Sequence, residues 1–332
     1  MVPPAQRPVQ RLRTPWVNCA TPDAIQHFSW GIGDDNPLWS SDDYARQSRW
    51  GGVIAPPCFL YAVDETTVTQ DHADRRRVYR SADWTFYDVV SASAAIEANA
   101  ALISESSTDD GIEQVGRVEF CTPDGGLLAS AVVTCARPHG AALAIEDRPE
   151  LRYTGDELNE IERTILSEER RGSAVREYES TSPGEEFGPL IKGPLSIMDV
   201  VAWCAATTGV VSQDAGHSEG GLHDQSATGP QLVTWMCQLV TDWMGDDAFL
   251  HRLQVELLGR PPLGSTTTIS GRVISVSLQG QRPTASVELS AVDQHGALTA
   301  SGVAEVIQPS AVYGPVRLPV LSDVSSEVAE VE

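Results

Sequence analysis

Two kinds of hydrophobic spacing alternate along the chain, and they do so twice in the same order. Residues 21–33 (TPDAIQHFSWGIG) and 196–209 (SIMDVVAWCAATTG) place apolar residues at helical intervals behind candidate N-caps, Thr21 and Ser196, with Pro22 suited to a first helical turn. An irregular loop follows each. A second helix then opens at a proline, Pro57 in APPCFLYAV (55–63) and Pro230 in TGPQLVTWM (228–236). After that the period shortens: Val78–Tyr87, Val115–Cys121, Leu127–Cys135, Leu253–Leu258, Thr266–Val276, Ala285–Val292 and Leu298–Ile307 alternate or run apolar between DGG and QHG turns. Each half predicts a buried helix followed by a largely antiparallel sheet, an α+β fold.

The two halves also share residues. Aligning 124–138 with 295–309 pairs Gly125 with Gly296, Leu127 with Leu298, Ala129-Ser130 with Ala300-Ser301, Val132 with Val303 and Pro138 with Pro309. Nearly the same offset pairs the two proline-opened helices and the two capped ones, and three segments in one order imply a duplicated domain. The expected organisation is a mobile N-terminus (1–15), a first domain (16–138), a linker (139–192), a second domain (193–310) and an acidic tail (311–332). Within the linker, DELNEIERTILSEERR predicts a solvated helix with Leu158, Ile161 and Ile165 on one face.

Composition narrows the function. A chain of 332 residues with 41% hydrophobic content can fill two cores. Its 46 acidic against 23 basic residues leave a net charge of −23, which repels nucleic acid and anionic membranes. The cysteines at 19, 58, 121, 135, 204 and 237 form no CxxC pair or metal-type cluster and read as small apolar residues in a reducing compartment. The N-terminus has no apolar leader, and no stretch is long enough to span a membrane. A soluble, cytoplasmic protein is expected.

Against this background, FSWGIGDDNPLWSSDDYARQSRWGGVIAPP (28–57) resembles the N-terminal hotdog of MaoC-like acyl dehydratases and (R)-specific enoyl-CoA hydratases, with their GDxNP motif. GPLSIMDVVAW (193–203) and LVTDWMGDDAFL (239–250) resemble the second half of long, two-domain members. The resemblance spans roughly residues 20–310. It implies a double hotdog, in which each antiparallel sheet wraps a long helix and the halves pair as a pseudo-dimer. It also implies a hydro-lyase that adds or removes water across the α,β bond of acyl thioesters, with no metal or redox cofactor. Such chemistry needs two proton carriers on one face of the substrate, and an N–H donor for the charge developing on the thioester oxygen.

The sequence departs from that motif in its first half. Asp34 matches the motif's aspartate, but Trp39 stands where histidine is expected, and an indole cannot shuttle the proton. Pro56 and Pro57 offer no N–H to an oxyanion. The first half therefore reads as a scaffold or a substrate-accommodating half. Asp34 stands as a candidate proton carrier, and Asn36 and Trp39 as candidate substrate contacts, beside a reading in which Asp34 and Asn36 only hold the loop. The equivalent loop of the second half, VVSQDAGHSEGGLHDQSATGP (210–230), gathers Asp214, His217, Glu219, His223 and Asp224 around a Gly220-Gly221 hinge. Asp214 with His217 or His223 are the candidate acid/base groups, although Asp214 and His217 lie closer together than the motif's pair. Gly229 is the candidate oxyanion donor. Trp235, in a stripe with Met236, Trp243 and Met244, reads as core that could line an acyl tunnel. Arg76, within Arg75–Arg77, is a candidate for coenzyme A phosphates or a charged strand edge. Asp199 reads as a helix-surface residue, with a buried acid as the alternative.

The leading expectation is a hydro-lyase acting on an acyl thioester of coenzyme A or of an acyl carrier protein. A carrier protein, itself acidic, would need a basic patch such as Arg75–Arg77 to receive it. One alternative is a hotdog cyclase of the oxa-Michael type in secondary metabolism. The other is a non-catalytic hotdog that stabilises an active partner subunit. Assembly as a homodimer is the expected oligomeric state.

Overall fold

The computed structural model describes residues 7–8, 17–64, 66, 77–139, 153–167, 175–207, 226–279 and 281–319. Its strands are β1 (Arg7–Pro8), β2 (Val78–Phe86), β3 (Glu97–Thr108), β4 (Gly111–Cys121), β5 (Leu127–Pro138), β6 (Glu186–Lys192), β7 (Phe249–Leu257), β8 (Thr267–Gln279), β9 (Arg282–Asp293) and β10 (Leu298–Ile307). They form a single antiparallel sheet in the order β1-β3-β4-β5-β2-β7-β10-β9-β8-β6. At its centre β2 meets β7, with Ser81 opposite Glu256 and Thr85 opposite Arg252. The order β3-β4-β5-β2 on one side of this seam is mirrored by β7-β10-β9-β8 on the other. The sequence match of 124–138 with 295–309 falls on β5 and β10, which occupy corresponding places beside the seam strands. The duplication legible in the sequence is thus the symmetry of the sheet.

The described helices are α1 (Pro22–Ile32), α2 (Pro37–Ser40), α3 (Asp42–Ala45), α4 (Leu60–Val63), α5 (Gly155–Leu166), α6 (Ile197–Ala206) and α7 (Gly229–Met244). Thr21 caps α1 by accepting the Ala24 N–H at 3.1 Å. Ser196 and Asp199 form a reciprocal capping box on α6, where the Asp199 carboxylate accepts the Ser196 N–H at 2.7 Å. Asp199 is exposed, so it is a helix cap and not a buried acid. The two capped helices, one from each half, pack together at Gly31, where an added Cβ would lie 2.9 Å from that of Ala206. Helix α5 has no buried residue, as its charged sequence suggested.

The core sits between the helices and the sheet. Every residue of α7 from Pro230 to Met244 is buried except Asp242. The sheet side of α7 is marked by Met236, whose methyl would come within 3.3 Å of a Cβ at Gly302 on β10. That same Cβ would stand 2.5 Å from the Gln254 carbonyl oxygen of β7. Backbone cannot yield as a side-chain tip can, so Gly302→Ala is expected to cost about 1–3 kcal/mol, read as a lower urea midpoint at unchanged slope.

Polar links tie the halves across the seam. Asp83 on β2 accepts two bonds from Arg252, at 3.1 and 2.8 Å, and one from Gln254 at 2.9 Å. Elsewhere Tyr44 donates to Asp246 at 2.5 Å, and the Trp50 indole donates to the Asp246 carbonyl at 2.8 Å. Lys192 on β6 donates to the Ile32 and Gly33 carbonyls at 2.7 and 3.1 Å, satisfying the C-terminal end of α1. Among the described residues, no helix is long and apolar enough to cross a membrane.

Candidate functional site

The GDDNPLW segment forms the turn between α1 and α2. Gly33 ends α1 in the left-handed region at φ 67°, which favours glycine. The chain then turns inward, leaving Asp34 only 3% exposed. One carboxylate oxygen of Asp34 accepts the Asn36 N–H at 3.0 Å, and the other accepts the Trp39 indole N–H at 2.9 Å. Asn36 in turn caps α2 by accepting the Leu38 N–H at 3.0 Å. Trp39 therefore keeps a ring N–H directed at Asp34, in a position where an imidazole could exchange a proton and an indole cannot. Behind Asp34 lies the Cys237 thiol, whose pKa contact with Cys58, burial and the nearby Asp34 charge push well above the usual thiol range. It is held as an un-ionised thiol and is unsuited to nucleophilic work.

A cleft of about 610 Å³ opens over this turn. Its polar lining comes from Asp34, Asp35 and Asn36 with Gln238 and Asp242 from α7, and its apolar lining includes Trp30, Phe187, Leu239 and Trp243. This volume lies in the range of small-molecule sites. Three carboxylates in the lining make the cleft unfavourable to phosphate and compatible with a neutral ligand group.

The second locus is the start of α7. Thr228 caps the helix, its hydroxyl accepting the Gln231 N–H at 3.2 Å. Pro230 has no N–H, so of the first-turn amides between them only that of Gly229 is left, and no acceptor among the described residues takes it. An added Cβ at Gly229 would lie 2.6 Å from Tyr79 Cβ, so the helix end rests directly on the seam strand β2. In the first half the corresponding Pro56 and Pro57 supply no amide at all, and the chain enters a 3-10 turn over Pro57–Phe59.

Between these loci runs a row of buried polar groups, of which Asn36 and Trp235 were sequence candidates while Gln231 and Gln238 were not singled out. Gln231 is 0% exposed, and among the described residues neither side-chain amide atom has a partner. The Trp235 indole N–H, Gln238 Oε1 and Asn36 Nδ2 are likewise buried and unpaired among the described residues. Each such group costs about 1–3 kcal/mol unless something satisfies it. The signal that could have found them is the recurrence of polar side chains at helical spacing inside an otherwise apolar segment.

The remaining sequence candidates divide simply. Asp214, His217, His223 and Arg76 lie outside the described residues. Arg77, next to Arg76, is buried with its guanidinium 5.0 Å from the centre of the Tyr79 ring. Asp34, Asn36 and Trp39 come together in one turn, while Gly229 and Trp235 lie along α7. Among the described residues, no three His, Cys, Asp or Glu side chains are grouped to hold a metal ion.

Comparison with known proteins follows the same lines. The model of a FAS1-like dehydratase domain region matches residues 12–103. Among solved structures, a MaoC-like dehydratase superposes with TM-score 0.67 at 14% identity, over 92% of this chain and 97% of that one. A protein of Chloroflexus aurantiacus, named as a MaoC domain protein dehydratase, gives 0.63 at 11% identity, over 94% and 95%. A Mycobacterium tuberculosis protein described as having a double hotdog fold gives 0.59 at 9%, over 88% and 94%. No curated protein matches the sequence. The chain is a double hotdog protein of α+β class, similar in fold to the MaoC-like dehydratases its sequence resembles.

Proposed function

We propose that the protein is a hydro-lyase that adds or removes water at the α,β position of an acyl thioester. The observation that carries this reading is the Gly229 amide, which no acceptor among the described residues takes, at the N-terminus of a buried sixteen-residue helix. Helix partial charge and a fixed N–H together suit the oxygen of an enolising thioester. The acid/base work falls to the 210–230 loop, with His217 or His223 exchanging the C2 proton or the C3 hydroxyl proton and Asp214 assisting. Asp34 is assigned to holding the first-half turn, since both its oxygens are engaged within it. Substrates carried by coenzyme A or by an acyl carrier protein both meet this chemistry, and Arg76 is the candidate contact for the phosphates. A soluble cytoplasmic homodimer is the proposed form.

One observation favours a second reading. In the first half Trp39, not a histidine, bonds to Asp34, and a chain without a proton-transfer pair in either half would be a non-catalytic partner. His217→Ala and His223→Ala separate the two. One variant is expected to lower kcat for hydration of an enoyl-CoA by at least about 100-fold, the usual scale for removing a general acid or base. Wild-type rates in both would remove these histidines from the mechanism.

A further inference from the structure

Polar side chains on α7 lie in a row. At 100° per residue, Gln231, Trp235, Gln238 and Asp242 fall within about 60° of one another around the helix. Gly229 and Met236, which meet strands β2 and β10, point to the opposite side, so the row faces away from the sheet. Gln238 and Asp242 line the cleft. From there the row leads about 10 Å along the helix to Gln231, two residues after Gly229. Along this row Trp235 offers a donor, Gln238 its Oε1 as acceptor and Gln231 both, and none of these atoms has a partner among the described residues. Asn36 adds a further unpaired donor at the cleft end. Buried side chains of native proteins are rarely left so, and four neighbouring exceptions on one path ask for a common occupant.

We propose that this row is a specificity wall for the acyl part of the substrate, and that it selects chains carrying hydroxyl groups over plain hydrocarbon. A hydroxyl both donates and accepts, so it can take the Trp235 N–H while giving its own proton to a glutamine carbonyl oxygen. A hydrocarbon chain would leave all these groups unpaired. Sites built to bond a hydroxyl discriminate strongly against the analogue that lacks it. The inference rests on the thioester reading above and extends it to a substrate class.

The test uses saturated probes that cannot be hydrated, octanoyl-CoA and 7-hydroxyoctanoyl-CoA, titrated calorimetrically into the full chain. The hydroxylated probe is expected to bind about tenfold or more tightly. That preference should disappear in Gln231→Leu and in Trp235→Phe, with folding of each variant checked by circular dichroism. Equal affinity of the two probes for the wild type overturns the specificity wall and leaves the thioester reading standing. Binding of neither probe overturns the thioester reading and the wall with it. If the variants melt higher and keep the preference, the row is satisfied by internal water and the proposal falls.

Discussion

Trp84→Ala is expected to destabilise the protein by about 3–5 kcal/mol, the cost of emptying a large aromatic site in a core that cannot collapse into it. Trp84 is 0% exposed and lies on β2, where Leu253 of the other half is its partner across the seam. Its ring stacks on Phe86 and Phe120 at 5.5 Å each and meets Tyr61 edge-on at 5.0 Å. Its indole N–H also donates to the Tyr61 hydroxyl at 3.0 Å. Tyr61 in turn touches Trp203 of α6, so the cluster joins sheet and helices of both halves. Truncation removes stacking area and leaves the buried Tyr61 hydroxyl without its donor. Urea unfolding followed by tryptophan fluorescence measures the effect, and a loss below about 1 kcal/mol would mean that the seam does not depend on this cluster.

Asp34→Ala is expected to cost about 3 kcal/mol, because two hydrogen bonds to a charged acceptor disappear and two buried N–H groups lose their partner. Asp34→Asn should fall between that variant and the wild type. Its single carbonyl oxygen can satisfy either the Asn36 amide or the Trp39 indole, while its NH₂ meets the other donor. A neutral result for Asp34→Ala would contradict the assignment of this carboxylate to the turn. Trp39→His does not simply restore the motif. Trp39 is 1% exposed, so the smaller ring leaves a cavity, and the half still lacks an amide at Pro56 and Pro57.

Some elements were legible in the sequence because their environments are one-sided. Leu298–Ile307 alternates small and apolar residues, and it is the strand β10 with those bounds. Both capped helices begin at the residues whose hydroxyls serve their first turns. By contrast β3 has no buried residue, so its sequence, EANAALISESST, carries no inward face to read. Strand β6 lies within 139–192, read there as linker; it contains Gly188 and Pro189 and, among the described strands, pairs with β8 alone, an edge role that leaves little pattern. At the site, the loss of histidine at position 39 was visible from residue type alone. That the indole would keep the hydrogen bond to Asp34 was not, since it depends on how α2 folds back. Trp235 was named as a candidate tunnel residue, but the polar row it belongs to was hidden for another reason: glutamines among leucines and valines pass for ordinary core until their partners are sought. The acid/base candidates at 214, 217 and 223 lie outside the described residues and stand on the sequence alone.

The central claim is enolisation of a thioester, and mass spectrometry in deuterated water tests it most directly. A panel of 3-hydroxyacyl and enoyl thioesters would be incubated with the protein, reading both product mass and deuterium at C2. Deuterium at C2 together with gain or loss of water is the predicted result. Exchange without net hydration would contradict the hydro-lyase assignment in favour of a cyclase or another enolising enzyme, and no exchange with any thioester by the folded protein would contradict catalysis itself.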